Sequence, residues 1–333
     1  MKALVTGGAG FLGGALVRAL AARGDEVRSY SRGCHPEIAA LGVEHMRGDL
    51  VDAKALSSAV AGCEIVFHVA ARVGGWGPAA AYHQTNVVGT ERVIAACREQ
   101  GVGRLVYTST PSVVHTGADI EGGDESLPYA THFTASYPRT KAEAEKLVLA
   151  SNGPALATVA LRPHLVWGPG DQQLLPRLLA RARAGRLRLV GDGQKLVDTT
   201  YIDNAVSAHL GAGDALSPQA PCAGRAYFIA QGEPMPSAEL VNAFLRAADL
   251  PRETRTVPAR FAWWAGAAAE ACFHLLRRTD EPPLTRFAAE QLSTAHWYDL
   301  GAARRDLGYD PVVSMEQGLT RLRESLLAES RSS

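Results

Sequence analysis

A short apolar run, Lys2–Thr6, opens directly into Gly7-Gly8-Ala9-Gly10-Phe11-Leu12-Gly13 and from there into a helical pattern that stops at Gly24. Glycines at this spacing let the backbone do three separate things. Gly7 supplies a tight turn, Gly10 lets a pyrophosphate approach the main chain, and Gly13 lets the helix pack closely on the strand. Phe11 and Leu12 then fall in the first helical turn, where free N–H groups and the helix dipole favour an anion. An ordinary glycine-rich strand-to-helix turn would look the same locally, so the rest of the chain has to supply the context.

That context is an alternation. Runs rich in Val, Ile and Leu recur at Glu26–Tyr30, Glu44–Arg47, Ile65–His68, Leu105–Thr108 and Thr158–Leu161. Helical patterns separate them, such as Leu12–Arg23 and Thr90–Gln100, the second stopping at Gly101. The pattern predicts an α/β fold, a doubly wound parallel sheet covered on both faces, with its ligand site beyond the carboxyl ends of the strands. At 333 residues the chain is long for one domain. Residues 1–170 read as a dinucleotide-binding domain, and 171–333 as a smaller, mostly helical substrate lobe that partly interleaves with it. Ser314 and Gln317 suit a capping box for the closing helix, and Glu329 to Ser333 are expected to fray.

Lys plus Arg equals Asp plus Glu at 34 each, so no net field draws the chain to nucleic acid or to an anionic membrane. The partner expected is a small molecule. Cys34, Cys63, Cys97, Cys222 and Cys272 show no C-x-x-C spacing, which disfavours both zinc and a disulfide framework and suits a reducing cytoplasm. His83, His164, His209 and His296 form no metal-spaced set, and no metal is expected. The N-terminus leaves no room for a signal peptide, and no apolar run reaches the roughly 20 residues of a membrane span. The expectation is therefore a cytoplasmic protein with at most peripheral membrane contact.

Chemistry is concentrated in Tyr137-Pro138-Arg139-Thr140-Lys141. A Tyr and a Lys four apart share a helix face. A nearby ammonium stabilises phenolate and brings a phenol of pKa about 10 toward use as a general acid. At the end of the second strand, where an NAD enzyme offers a carboxylate to the adenosine ribose, stand Ser31 and Arg32. A hydroxyl and a cation suit a 2′-phosphate, so NADP(H) is favoured. NAD(H) stays open, because Arg32 also reads as a surface residue.

These motifs occur in order with Gly48-Asp49-Leu50, His68-Val69-Ala70-Ala71, Asn86, Thr108-Ser109-Thr110, Leu161-Arg162-Pro163, Trp167-Gly168-Pro169-Gly170-Asp171, Tyr201-Ile202-Asp203-Asn204 and Leu307-Gly308-Tyr309-Asp310-Pro311. Over nearly its whole length the chain resembles the extended short-chain dehydrogenase/reductases, which have a Rossmann-type fold. The resemblance implies that Asp49 and Leu50 lie against the adenine, although Asp49 could equally cap the next helix. It places Ala70 and Ala71 along the diphosphate and nicotinamide, and Lys141 on the nicotinamide ribose. Tyr137 becomes the acid/base. Thr110 holds the carbonyl, with Ser109 and Ser112 as neighbouring alternatives. Pro163 positions the nicotinamide or simply ends a strand.

Nucleotide-sugar enzymes of that superfamily carry a phosphate-binding Arg shortly before the Tyr201 region. Between Gly193 and Asp203 this chain has only Lys195, which disfavours such substrates. The Thr108–Val113 run and the Tyr-Pro-x-x-Lys form resemble the 3β-hydroxysteroid dehydrogenase branch. Within it, Trp76, Trp167–Gln173, Asp198–Tyr201 and Pro282–Phe287 look most like bacterial 2-alkyl-3-oxoalkanoate reductases of long-chain olefin biosynthesis. That likeness implies NADPH-dependent reduction of a 3-keto group, with a homodimer and olefin-pathway enzymes as compatible partners. A steroid or sterol 3β-dehydrogenase shares every catalytic residue. A non-catalytic dinucleotide-binding scaffold would have lost the Tyr/Lys pair.

The lobe offers two further features. Phe261–Leu276, followed by Arg277 and Arg278, reads as a core helix, as the wall of a long acyl or sterol pocket, or as a surface that meets membrane or partner. Trp263 and Trp264 are adjacent and cannot both enter one narrow core. Arg177, Arg181, Arg183, Arg186 and Arg188 form a solvated basic face, or one of them receives a substrate carboxylate.

Overall fold

The computed structural model describes residues 1–278 and 280–332. Its central sheet has seven parallel strands: β1 (Lys2–Thr6), β2 (Glu26–Ser31), β3 (Glu44–Arg47), β4 (Ile65–His68), β5 (Arg104–Thr108), β6 (Ala157–Pro163) and β7 (Arg225–Ile229). They lie in the order β3-β2-β1-β4-β5-β6-β7. The order reverses between β1 and β4, so the crevice that binds ligands in such sheets opens at the ends of these two strands. Thr6 pairs with Tyr30 on one side and His68 on the other, bringing Gly7, Ser31 and Val69 to one rim.

Alternate residues feed two cores, as a period of two requires. Ala3, Val5, Ile65, Phe67 and Val106 face one core with Leu16, Val17 and Leu20 of helix α1 (Phe11–Ala22). Leu4, Val66, Leu105 and Tyr107 face the other. There they meet Leu56 of α2 (Ala53–Val60), Val93 of α3 (Gly89–Glu99) and Ala144 and Val148 of α4 (Ser136–Ala150). Helix α5 (Ile202–Ala215) joins α1 on the first face through Val206, Ala208 and Ala212. Burial on both faces explains why β4 and β6 read as continuous apolar runs.

The runs seen in the sequence supply six of the strands. The seventh, β7, follows the turn-forming Ala220-Pro221-Cys222-Ala223-Gly224 and joins the sheet by pairing with β6, Phe228 against Arg162. Tyr227, Phe228 and Ile229 suit a strand by their own text, and pairing with β6 decides where in the sheet it lies. Chain is exchanged the other way too: Ile120–Gly123 leaves the first half to edge a four-stranded lobe sheet beside His296–Tyr298, Leu196–Val197 and Met235–Pro236. The lobe core gathers Trp167, Tyr201, Ile202, Phe244, Val313 and Met315.

Two of the quoted motifs are structural here. Asn204 donates to Gln231 Oε1 and to the Val313 carbonyl (2.9 and 2.8 Å) and accepts from Val313 N–H (2.9 Å). Tyr309, following the left-handed Gly308, donates to the Ala230 carbonyl at 2.7 Å. The capping box forms, with Ser314 N–H donating to Gln317 Oε1 and Gln317 N–H to Ser314 Oγ (3.0 and 3.2 Å). The last helix runs from Met315 through Ser332, where fraying was expected; Ser333 lies outside the described residues.

Candidate functional site

The glycine turn is built for close contact. Gly7 adopts φ +70°, donates its N–H to the Tyr30 carbonyl at 2.8 Å, and would place a Cβ 2.9 Å from the Ala70 backbone. A Cβ on Gly13 would lie 2.2 Å from the Gly7 carbonyl oxygen, so helix and turn touch through backbone. At Gly10 a Cβ would meet only the Gly7 oxygen, at 3.2 Å, leaving the outer side of the turn open. Helix α1 has no side-chain cap and no acid in its first turn. Its positive end and free N–H groups at Phe11 and Leu12 therefore remain available to a diphosphate.

The rim next to the turn fits the other end of a dinucleotide. Ser31 Oγ is buried without a hydrogen-bond partner, which calls for one from outside the chain. Arg32 is exposed. Arg47, paired with Ser31 across β2 and β3, brings a second cation and donates Nε–H to the Arg32 carbonyl at 2.9 Å. Reading the strands one at a time misses Arg47, because only the register brings it alongside Ser31. Asp49 is exposed and accepts from Val51 N–H at 3.2 Å, whereas Asp52 accepts from Ala55 N–H at 3.0 Å and caps α2. The capping alternative for Asp49 is thereby corrected: the helix starts one turn later than that role needs. Leu50 is buried beneath Gly89 at the start of α3.

A buried polar thread links this rim to the Tyr137 helix. Ala70 N–H donates to Thr6 Oγ1 (3.2 Å), and Thr6 Oγ1 lies 2.8 Å from His68 Nδ1. His68 Nε2 lies 2.9 Å from Thr90 Oγ1, which donates to the Asn86 carbonyl at 2.6 Å. One proton arrangement satisfies every group: Thr6 donates to Nδ1, and Nε2–H donates to Thr90. Burial, with Lys141 nearby, holds the His68 pKa down to about 3, so this neutral tautomer persists. Asn86 lies in a π-helical turn, Gln84–Val88, and donates to the Arg72 carbonyl and to Thr140 Oγ1, both at 3.0 Å. Thr140 is one residue from Lys141. Ala71 leads from this thread into the loop that continues through Arg72 to Trp76.

Tyr137 and Lys141 share a face of α4. Lys141 is buried and donates to the Thr108 carbonyl at 2.5 Å, with Nζ 4.0 Å from the centre of the Tyr107 ring. Burial brings its pKa down to about 7, against the opposing pull of Glu145. Burial pushes Tyr137 up to about 12, with the Thr110 hydroxyl acting in the opposite direction. Desolvation dominates and the phenol rests protonated. Thr110 also caps the turn Pro111–Val113, accepting from Ser112 N–H at 3.3 Å. Ser109 Oγ is buried without a partner.

Glu145, one turn beyond Lys141, is fully buried. Its carboxylate pairs with Arg162 at 2.6 Å and accepts from Tyr129 at 2.7 Å. Sequence reasoning missed this pair, although the spacing from Lys141 signalled Glu145. Pro163 ends β6 and is buried. The following His164 packs edge-on against His296, 4.8 Å between ring centres, and both leave Nδ1 buried without a partner. His209 Nε2 lies 2.8 Å from Thr108 Oγ1, and His83 is exposed.

On the lobe side the two adjacent tryptophans part company. Trp263 donates to Glu290 at 3.1 Å, while Trp264 is exposed. Arg177 pairs with Glu281 at 2.7 Å and Arg188 approaches Glu253 at 4.0 Å. Arg183 and Arg186 are exposed, and Arg181 is half-buried.

Comparison with known proteins matches residues 4–260 to the 3-beta hydroxysteroid dehydrogenase/isomerase family. A 2-alkyl-3-oxoalkanoate reductase of Stenotrophomonas maltophilia is 57% identical over 98% of this chain and 100% of its own length. One from Shewanella oneidensis is 47% identical over 97% and 86%. Among solved structures, a double mutant of DesIV, a dTDP-glucose 4,6-dehydratase from Streptomyces venezuelae with NAD and DAU bound, superposes with TM-score 0.77 at 25% identity, over 100% of this chain and 98% of that one. The chain belongs to the 3-beta hydroxysteroid dehydrogenase/isomerase family of extended short-chain dehydrogenase/reductases, and it is an oxidoreductase.

Proposed function

We propose that this protein is an NADPH-dependent reductase that converts the 3-keto group of a 2-alkyl-3-oxoalkanoate to a 3-hydroxyl, a step of long-chain olefin formation. The observation that carries this reading is the 57% identity over the full length of a relative bearing that activity's name. Gly7, Gly10 and Gly13 with Phe11 and Leu12 would hold the diphosphate, and Ser31, Arg32 and Arg47 the 2′-phosphate. Asp49 and Leu50 would flank the adenine, while Ala70, Ala71 and Pro163 would line the path to the nicotinamide, whose ribose Lys141 would bind. When bound there, the reduced nicotinamide supplies hydride.

The chain's own residues do the rest. Thr110 and Tyr137 donate hydrogen bonds to the ketone oxygen and polarise it. As negative charge grows on that oxygen, the protonated Tyr137 gives up its proton. Lys141, poised near neutrality, supplies the positive charge that stabilises the resulting phenolate. Tyr137→Phe is expected to bind NADPH normally and to lose about a hundredfold or more in kcat, the usual weight of a general acid. Near-normal turnover by that variant would refute the role.

The family's name keeps a second reading in view, a 3β-hydroxysteroid dehydrogenase working in the oxidative direction. A panel of long-chain 2-alkyl-3-oxo acids and 3β-hydroxysteroids, each offered with NADP(H) and NAD(H), separates the two.

A further inference from the structure

Helix α6 (Ala259–Leu275) and the turn after it carry large apolar side chains on the outside. Phe261 is 65% exposed, Trp264 68%, Leu275 84% and Leu276 61%. With the exposed Ala265, Ala268 and Cys272 they follow the three-and-four spacing of one helix face, about 22 Å long. No charged residue interrupts the stripe. The opposite face fixes this orientation. Ala262, Gly266 and Glu270 are buried; a Cβ on Gly266 would come within 2.8 Å of the Thr285 backbone; Glu270 pairs with Arg286 at 2.7 Å. The fold thus holds the helix from beneath and leaves its apolar face outside.

The ends of the stripe are cationic. Arg260 lies in a first turn that has neither an acid nor a side-chain cap, a position where a cation opposes the helix dipole. Among the described residues, neither Arg260 nor Arg277 finds a carboxylate. The nearby acids are engaged: Asp280 by Arg278, Glu281 by Arg177, Glu270 by Arg286. A second copy of the chain laid on this face would oppose Arg260 to Arg277 if antiparallel, or each to its own counterpart if parallel. Like charges meet either way, which disfavours self-association. A surface with anionic groups above an apolar interior satisfies both the stripe and its ends.

We propose that α6 with Leu276 is an interfacial helix that docks the protein on an anionic lipid bilayer. Phe261, Trp264, Leu275 and Leu276 enter below the headgroups, and Arg260 and Arg277 lie among the phosphates. Contact is peripheral, since no helix among the described residues is long and apolar enough to cross a membrane. The inference goes beyond the reductase reading and does not rest on it. On its inner side α6 meets the loop of Trp76, whose ring packs on His274, 4.6 Å between ring centres. Tyr82 anchors that loop through the Gly74 and Trp76 carbonyls, each 2.9 Å away.

The test is co-sedimentation of the full chain with vesicles of phosphatidylcholine alone or with about one-third phosphatidylglycerol. Binding is expected to the anionic vesicles and to weaken with added salt. It should fall about tenfold or more in a Phe261→Ser/Trp264→Ser/Leu275→Ser variant, and about fivefold in each of Arg260→Gln and Arg277→Gln. Circular dichroism and NADPH affinity should stay unchanged. Three results overturn the proposal: no binding to anionic vesicles, undiminished binding by the triple variant, or a wild-type dimer that the triple variant converts to a monomer.

Discussion

Replacing Gly7 by Ala separates backbone strain from close contact, because Gly24 provides a matched control. Both residues are left-handed, at φ +70° and +86°. A Cβ on Gly24 meets nothing within 4 Å, whereas on Gly7 it lies 2.9 Å from the backbone of Ala70. Gly24→Ala should therefore lose only the left-handed penalty, about 1–2 kcal/mol. Gly7→Ala adds the relief of a backbone clash, a further 1–3 kcal/mol or so. With an unfolding entropy of about 2.1 cal/mol/K per residue, 333 residues give about 0.7 kcal/mol/K, so each kcal/mol lowers Tm by about 1.4 °C. The expected falls are about 1–3 °C for Gly24→Ala and about 3–7 °C for Gly7→Ala. Calorimetric titration with NADPH should show affinity lost in Gly7→Ala and kept in Gly24→Ala, since the clash pushes the turn off Ala70. Equal Tm losses with equal NADPH affinity would refute the contact argument.

Acid should unfold the protein steeply. Burial depresses His68, His115 and His209 to pKa values of about 3, 4 and 4. Below the ordinary pKa of about 6.5 the unfolded chain binds protons that the folded chain refuses. Stability is thus full above that pH and falls by about 4 kcal/mol per unit between about pH 6 and 4, where the three folded histidines begin to take up protons as well; a Tm that stays flat from neutrality to pH 5 would contradict this. Glu145→Gln leaves the Arg162 guanidinium buried without its partner and should cost about 3–5 kcal/mol in a urea titration. The same change removes the charge that raises the Lys141 pKa, so the alkaline limb of the kcat/KM profile should move to lower pH; an unmoved limb counts against an ammonium at Lys141. Finally, Arg32→Gln should raise KM for NADPH about tenfold while leaving KM for NADH nearly unchanged. If both constants stay put, Arg32 is a surface residue.

The sequence by itself determined the first half of the fold and the type of chemistry. Gly7, Gly10 and Gly13, with alternating strands and helices, are local signals, because turn geometry and burial on two faces act on neighbouring residues. Tyr137 and Lys141 are legible for the same reason, being one helical turn apart. Only the tertiary structure decided what depends on residues distant in sequence. It set β7 beside β6, Arg47 beside Ser31, and Arg162 beneath Glu145. It also set the desolvation of the pair, which comes from the whole surrounding core and raises Tyr137 while lowering Lys141. The text at Phe261–Leu276 put a core helix ahead of a pocket wall or an exposed surface, because both faces of that helix are apolar. Packing of Gly266 against Thr285 chose which face stays outside.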